Sequence, residues 1–329
     1  MQPDSTEPVV EIDHLSHRYG RRTALVDLSL RVNRGEIFGF LGPNGSGKTT
    51  LFRILCTLIA APPATVKILG LDLAVQREQV RRQIGVVFQS PSLDKQLTAE
   101  ENLRQQGHLY GLRGAELSKR IDRLLQRVDL LDRRHERVDR FSGGMRRRVE
   151  LAKGMLNQPR ILLLDEPSTG LDPAARIDLW KLLTEIQQNE GVTVLLTTHL
   201  MDEGDRCSRL AILDRGRLAV CDTPAAMKER IGGDVLSLTT REPKRVAAII
   251  SDKFQITAET LDGTVRLERK RGHEFVPQLI ESLPGLIDSV SVGKPTLEDV
   301  FIHVTGRYFR DDAPREDVPL NDGRSSELP

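Results

Sequence analysis

The chain has 329 residues, enough for one large domain or two with a sizeable core. Its 48 Lys and Arg nearly cancel 47 Asp and Glu, leaving a net charge of +1, so no global field points to a nucleic-acid partner. Cys56, Cys207 and Cys221 are scattered, without disulfide or metal spacing, and fit a reducing cytosol; the N-terminus lacks the basic and apolar regions of a signal peptide, and no apolar run is long enough to span a bilayer, so any membrane part is expected in another chain.

Residues 9–41 read as β-structure: Leu28, Leu30 and Val32 alternate with polar residues, and Asn33-Arg34-Gly35 is a turn signal. The apolar run Glu36–Leu41 then leads into Gly42-Pro43-Asn44-Gly45-Ser46-Gly47-Lys48-Thr49-Thr50, followed by the helical pattern Leu51–Leu58. Strand, glycine-rich loop and helix in this order form the Walker A phosphate loop, G-x-x-x-x-G-K-[ST]. Glycines let successive N–H groups point inward, and the helix adds its positive dipole end. Lys48 suits the β/γ-phosphates of a nucleotide and the Thr49 hydroxyl suits Mg²⁺.

Val66–Leu69 and Ile84–Phe88 are further short strands. From Thr98 the pattern turns helical. Thr98-Ala-Glu-Glu101 is a candidate capping box, and Ile121, Leu124, Leu125, Val128 and Leu131 make a helical stripe. Residues 98–140 therefore read as a helical insertion. Leu93, Leu97, Leu103, Leu109 and Tyr110 exceed what one amphipathic face needs, so the window from Gln89 to Leu112 is a candidate docking surface. Arg146-Arg147-Arg148 reads as a solvated helix face. Ile161–Leu164 and Val192–Leu196 are continuous apolar runs, expected of parallel strands buried on both faces, with a helix over Pro173–Ile186 between them. The first run ends in Asp165-Glu166-Pro167. A carboxylate there can hold Mg²⁺ as Walker B, and Glu166 can polarise an attacking water as general base.

Composition shifts near residue 225. The remainder reads as strand Val235–Thr239, helix Pro243–Phe254, a hairpin turning at Asp262-Gly263, helix His273–Leu283, strand Ile287–Val292 and helix Leu297–Val304. The βαββαβ order suggests a small ferredoxin-like α+β sandwich. Leu297, Val300, Phe301 and Val304 form one apolar face on the last helix, expected to pack on the module's own sheet. The expected domains are thus a nucleotide-binding unit over 1–224, separable from an α+β accessory domain over 225–308, and a disordered tail over 309–329 rich in Asp, Arg, Pro and Ser.

Three further segments complete a set: Phe141-Ser142-Gly143-Gly144-Met145, Ser168-Thr-Gly-Leu-Asp172-Pro173 and Thr197-Thr198-His199. With Gln89 after its strand, they resemble the ATP-binding-cassette (ABC) ATPases over roughly residues 9–225, with the motifs in order. The resemblance implies a P-loop α/β cassette with a parallel core sheet, an antiparallel β subdomain and a helical insertion, here followed by the small α+β domain. It implies that Tyr19 stacks on adenine and that Gln89 touches Mg²⁺ and water and senses the transport partner. Ser142, Gly143 and Gly144 look like the signature that caps the γ-phosphate of an ATP held by the opposite subunit. Asp172 looks like the D-loop residue at the dimer seam, and His199 like the switch histidine at the γ-phosphate. Met145 stands where the commonest form has Gln. That change, the following arginines, Phe38-Gly-Phe-Leu-Gly-Pro-Asn-Gly45 and Pro295-Thr-Leu-Glu-Asp-Val-Phe301 resemble the daunorubicin-resistance branch of bacterial exporter ATPases.

The resemblance implies an ATPase subunit on the cytoplasmic face of the membrane. It would dimerise around two Mg-ATP, drive a separate permease and support export; the last helix would also support dimer assembly. A soluble ABC ATPase acting on nucleic acid is disfavoured by the absence of sustained heptads, of a second cassette and of a basic footprint. A regulator without turnover is disfavoured by intact Glu166 and His199.

Overall fold

The computed structural model describes residues 8–309. The expected tail lies, apart from Phe309, outside the described residues.

Strands β1 (Pro8–Tyr19) and β2 (Arg22–Asn33) form a long hairpin. Its alternating Val10, Ile12, Leu28, Leu30 and Val32 are buried. With β4 (Val66–Ile68) and β5 (Leu71–Asp72) they make an antiparallel sheet of order β2-β1-β4-β5. Between them come β3 (Ile37–Leu41) and α1 (Lys48–Leu55); α2 (Arg77–Arg81) and β6 (Ile84–Val87) follow. The region after β6 holds α3 (Ala99–Leu109) and α4 (Gly114–Arg127). Thr98 and Glu101 form the expected capping box at the start of α3.

The chain continues through α5 (Gly143–Met155), β7 (Ile161–Asp165), α6 (Pro173–Glu190), β8 (Thr193–Thr198), α7 (Met201–Gly204), β9 (Arg209–Asp214), β10 (Arg217–Asp222) and α8 (Pro224–Glu229). Strands β3, β6, β7, β8, β9 and β10 form one sheet of order β10-β9-β3-β8-β7-β6, parallel except for edge strand β10. Every residue of β3, β7 and β8 is buried. Side-chain alternation feeds two cores: Leu162, Leu164 and Leu196 face the helical region, whereas Ile161, Leu163 and Leu195 face the antiparallel sheet and α1. Because these strands run parallel, their C-terminal ends share one edge, where connecting loops can meet a ligand. The register places Leu41 beside Thr198, Asp165 beside Thr197 and Val87 beside Leu164.

The remainder contains β11 (Asp234–Thr239), α9 (Pro243–Phe254), β12 (Ala258–Leu261), β13 (Thr264–Arg269), α10 (Gly272–Ser282), β14 (Ser289–Gly293) and α11 (Leu297–Thr305). Its antiparallel sheet has the order β12-β13-β11-β14. Residues of α9 and α10 close its apolar side: Val246, Ile250, Phe275 and Leu279 pack with Leu236, Leu238, Val265 and Leu267.

The last helix corrects an expectation. Leu297, Val300 and Phe301 join the core of the nucleotide-binding unit, not that of their own sheet, and Val304 is exposed. Helix α11 lies against α7, α8 and β10. A Cβ on Gly204 of α7 would come within 2.7 Å of Leu297 Cδ1. The reason is that α9 and α10 already cover the apolar side of the sheet. Its other side offers polar residues, and there Arg266 pairs with Asp299 and Glu268 with His303. Arg307 then pairs with Asp214 of β9. The helix is wedged between the two units, apolar toward one and charged toward the other.

Leu93 and Leu103 are buried, whereas Leu109 and Tyr110 are exposed. The surplus of apolar residues in that window is thus part core and part surface. No helix among the described residues is long and apolar enough to cross a membrane.

Candidate functional site

The loop from Gly42 to Gly47 leaves the C-terminal end of β3, the centre of the shared edge. Gly45 (φ +81°) and Gly47 (φ +106°) take left-handed conformations that cost a residue with a Cβ about 1 kcal/mol or more. At Gly47 a Cβ would also come within 2.8 Å of Ala24 O. Gly47 starts α1 with no side-chain cap, so the first-turn N–H groups and the positive dipole end face the loop. Lys48, buried, donates from Nζ to Gly42 O at 2.6 Å and Pro43 O at 3.0 Å. Pro43 and Ser46 are buried, Asn44 and Thr49 exposed, Thr50 buried. Ser46 Oγ has no hydrogen-bond partner among the described residues. A cavity of about 350 Å³ opens here, lined by Asn44, Gly45, Lys48 and Thr49 together with Tyr19, Arg22 and Arg53. Tyr19, at the end of β1, is half exposed and meets His17 edge-on at 4.8 Å between ring centres.

The other strand ends bring the carboxylates. Asp165 ends β7 and accepts a hydrogen bond from Thr197 Oγ1 on β8 at 2.6 Å. Burial raises its carboxyl pKa above the ordinary value, with the Thr197 hydroxyl opposing. Glu166 sits at φ +41°, in the left-handed region. Its N–H donates to Thr197 Oγ1 at 3.0 Å. Its Oε2 accepts from Gln89 Nε2 and Thr169 Oγ1, each at 3.1 Å. His199 Nδ1 lies 3.3 Å from the same oxygen, at ion-pair distance but outside hydrogen-bond alignment. Gln89, Glu166 and His199 therefore meet around one carboxylate oxygen, although they come from three different strand ends. Uncapped N–H groups, an ammonium, a hydroxyl and a carboxylate along one edge fit a polyphosphate carrying a divalent cation.

Ser142, Gly143, Gly144 and Asp172 do not line that cavity. Ser142 caps α5, its Oγ accepting from Met145 N at 3.2 Å. Gly144 has α6 against it: a Cβ would come within 2.9 Å of Ala175 Cβ, whereas Gly143 has room. Asp172 caps α6, accepting from Ala175 N at 2.9 Å. The N-terminus of α5 thus presents an exposed Ser-Gly pair away from its own phosphate loop.

The family profile described as "ABC transporter" matches residues 25–169. A daunorubicin resistance ATP-binding protein of Streptomyces coeruleorubidus is 36% identical over 91% of this chain and 96% of its own length. The Nod factor export ATP-binding protein I of Sinorhizobium fredii is 36% identical over 93% of this chain and 88% of its own. A solved ATP-binding cassette, dimeric in a post-hydrolysis state with ADP and Pi, is 28% identical and superposes with a TM-score of 0.58 over 65% of this chain and 98% of its own. The chain belongs to the ABC transporter family. It is an ATP-binding subunit and an ATPase.

Three side chains of this ABC subunit's edge escaped the reading of the sequence. Thr197, in the motif ending at His199, bridges Asp165 and the Glu166 backbone. Glu203 on α7, fully buried, accepts from Ser168 Oγ, Thr198 Oγ1 and Trp180 Nε1. Arg147 corrects the solvated-face expectation. Only 8% exposed, it donates to the carbonyls of Pro167, Phe88 and Asp165. The signal was its spacing: Leu151, Gly154 and Met155 follow at i+4, i+7 and i+8, so Arg147 lies on the buried face. Arg148 is at least half-buried and pairs with Asp178, while Arg146 is half-buried.

Proposed function

We propose that this subunit binds Mg-ATP in the cavity of the phosphate loop, pairs with a second copy and drives a separate membrane permease in export. The observation that carries the reading is the convergence of Gln89, Glu166 and His199 beside the loop that holds Lys48.

In this reading Tyr19 stacks on the adenine. The N–H groups from Asn44 to Thr50 cradle the phosphates, with Gly42 and Pro43 setting the loop's entry. Lys48 turns its ammonium from the loop carbonyls toward the β/γ-phosphates. Thr49, Gln89 and Asp165 would hold Mg²⁺, which would supply charge neutralisation for the phosphates. Glu166 accepts the proton of the attacking water, and His199 contacts the γ-phosphate. Ser142, Gly143 and Gly144 have no such duty in their own chain. At an exposed helix N-terminus they suit the γ-phosphate of the second copy's nucleotide, with Asp172 at the seam. Closure around two nucleotides would move the permease, and hydrolysis would release it.

Export is supported by the Nod factor relative, which is named for it. The exposed Leu109 and Tyr110 suit the permease contact. The balanced charge argues against nucleic acid as partner. A cassette over 1–224 and an accessory unit over 225–308 describe the division of labour, and the cytoplasmic face of the membrane is the expected location. Purification from detergent-solubilised membranes tests all of this: a permease should copurify, and Mg-ATP should double the mass of the Glu166→Gln variant in light scattering. A protein that stays monomeric with Mg-ATP and brings down no membrane protein refutes the reading.

A further inference from the structure

We propose that Arg147 is a positioning residue for hydrolysis: its guanidinium holds the backbone on both sides of Glu166 and the carbonyl just before Gln89, so one side chain sets both the carboxylate and the amide that touches it. The inference rests on the ATPase reading above.

Glu166 carries the motive. At φ +41° it occupies a conformation that non-glycine residues avoid, at a cost of about 1–3 kcal/mol that persists only where the surroundings enforce it. Three donors and acceptors do so. Thr197 Oγ1 accepts from Glu166 N at 3.0 Å. Arg147 Nη2 donates to Asp165 O, the carbonyl before Glu166, at 3.3 Å, and Nε donates to Pro167 O, the carbonyl after it, at 2.7 Å. Arg147 makes one further contact, at the neighbouring strand end, where Nη1 donates to Phe88 O at 2.7 Å. The next residue, Gln89, donates to Glu166 Oε2.

A guanidinium is suited to this work. Its planar fork presents several donors in fixed directions, whereas an ammonium is a compact charge on a flexible stem. Burial lowers the pKa of Arg147 to about 10, so the group stays charged at neutral pH. Its hydrogen bonds all go to main-chain oxygens, while the carboxylates of Glu150, Asp165 and Glu203 act on it through charge alone; Arg147→Lys keeps that charge and removes only the fork. The alternative is plain adhesion of α5 to the sheet, which predicts lost stability and nothing more. The positioning role predicts a split between binding and turnover, because Arg147 does not line the phosphate-loop cavity.

The test uses the full chain carrying Arg147→Lys or Arg147→Met. ATP affinity, measured with a fluorescent analogue, should stay within about twofold of wild type, while kcat per ATP-binding site falls at least tenfold. In Arg147→Ala, ethylguanidinium should restore turnover and ethylammonium should not. If Arg147→Met does not fold, Arg147→Lys, which keeps charge and stem, carries the test. A kcat per site within twofold of wild type in Arg147→Lys overturns the positioning role. So does equal rescue by both cations. A wild-type protein that binds ATP without turnover would overturn the ATPase reading as well, which separates the two failures.

Discussion

The strand-end edge and the seam beneath α11 are built from opposite materials. At the edge, Asp165, Glu166, Gln89, Thr197 and His199 converge, and Glu166 is held in an unfavourable conformation. At the seam, Leu297, Val300 and Phe301 close a core, with the Arg266–Asp299 pair on the far side of the helix. The two regions are neighbours, because α7 follows His199 and meets Leu297. Function lives where groups are strained and polar, and stability where they are apolar and close-packed. Substitutions at the edge should therefore change turnover without unfolding, and substitutions at the seam should do the reverse.

The sharpest test of that division is Glu166→Gln. The amide keeps the size and can still accept from Gln89 and Thr169, but it cannot take a proton. Turnover should fall about 10²–10⁴-fold, with ATP affinity and melting temperature near wild type. Steady-state phosphate release beside calorimetry checks it. Residual turnover within tenfold would move the base elsewhere on the edge.

Phe301→Ala should give the mirror image. Phe301 is fully buried and stacks edge-on with Phe309 at 4.9 Å. Its truncation should cost about 3–5 kcal/mol, read as a lower urea midpoint at unchanged slope. ATP affinity of the folded protein should be unchanged. The same packing bears on the expectation that a unit over 1–224 is separable, since a cut after Pro224 removes the residues of α11 that cover α7 and β10. Two separate unfolding transitions, with only the module sensitive to Phe301→Ala, would contradict a shared core.

Much of the edge was legible in the sequence because its parts are short and local. A phosphate loop needs glycines at fixed offsets, so Gly45 and Gly47 identify themselves, and apolar runs ending in Asp165 and Thr198 reveal buried parallel strands. Helix and strand order in the module was legible for the same reason. The destination of α11 was not, because an apolar stripe says that a face is buried without saying against what. Nor was Arg147, because the flanking Arg146 and Arg148 mask a buried position and its acceptors are carbonyls, which leave no trace in side-chain identity. Met145 accepts from Arg133 Nη1 at 3.1 Å and packs at the core margin, while its backbone N–H donates to Ser142 Oγ in the cap.

Lys48→Ala tests whether the edge separates further into binding and chemistry. Loss of a charge-assisted contact is worth about 1.5–3 kcal/mol, about 10- to 150-fold in ATP affinity. The hydrogen bonds to Gly42 and Pro43 go with it, so the loop also loses internal support. Titration with a fluorescent ATP analogue measures the effect. Affinity near wild type would mean that the N–H cradle alone holds the phosphates.

The smallest effect, at Thr296, tests the division most finely. Thr296 Oγ1 accepts from Asp299 N at 3.2 Å, and Asp299 Oδ2 accepts from Thr296 N at 2.7 Å, closing a capping box at the start of α11. In Thr296→Ala the first bond is lost, together with the bond that the Thr296 hydroxyl donates to Asp299 Oδ2, while Asp299 keeps its backbone contact and its pairing with Arg266. The expected cost is about 1 kcal/mol, a shift of about 1–2 °C in melting temperature for a chain of 329 residues. Because α11 packs on α7, α8 and β10, a loss confined to the cap of its first turn should leave kcat and ATP affinity untouched. A fall in kcat at unchanged stability would mean that the cap tunes how firmly α7 is held. The seam would then belong to the catalytic apparatus, and packing and chemistry in this subunit could no longer be assigned to separate regions.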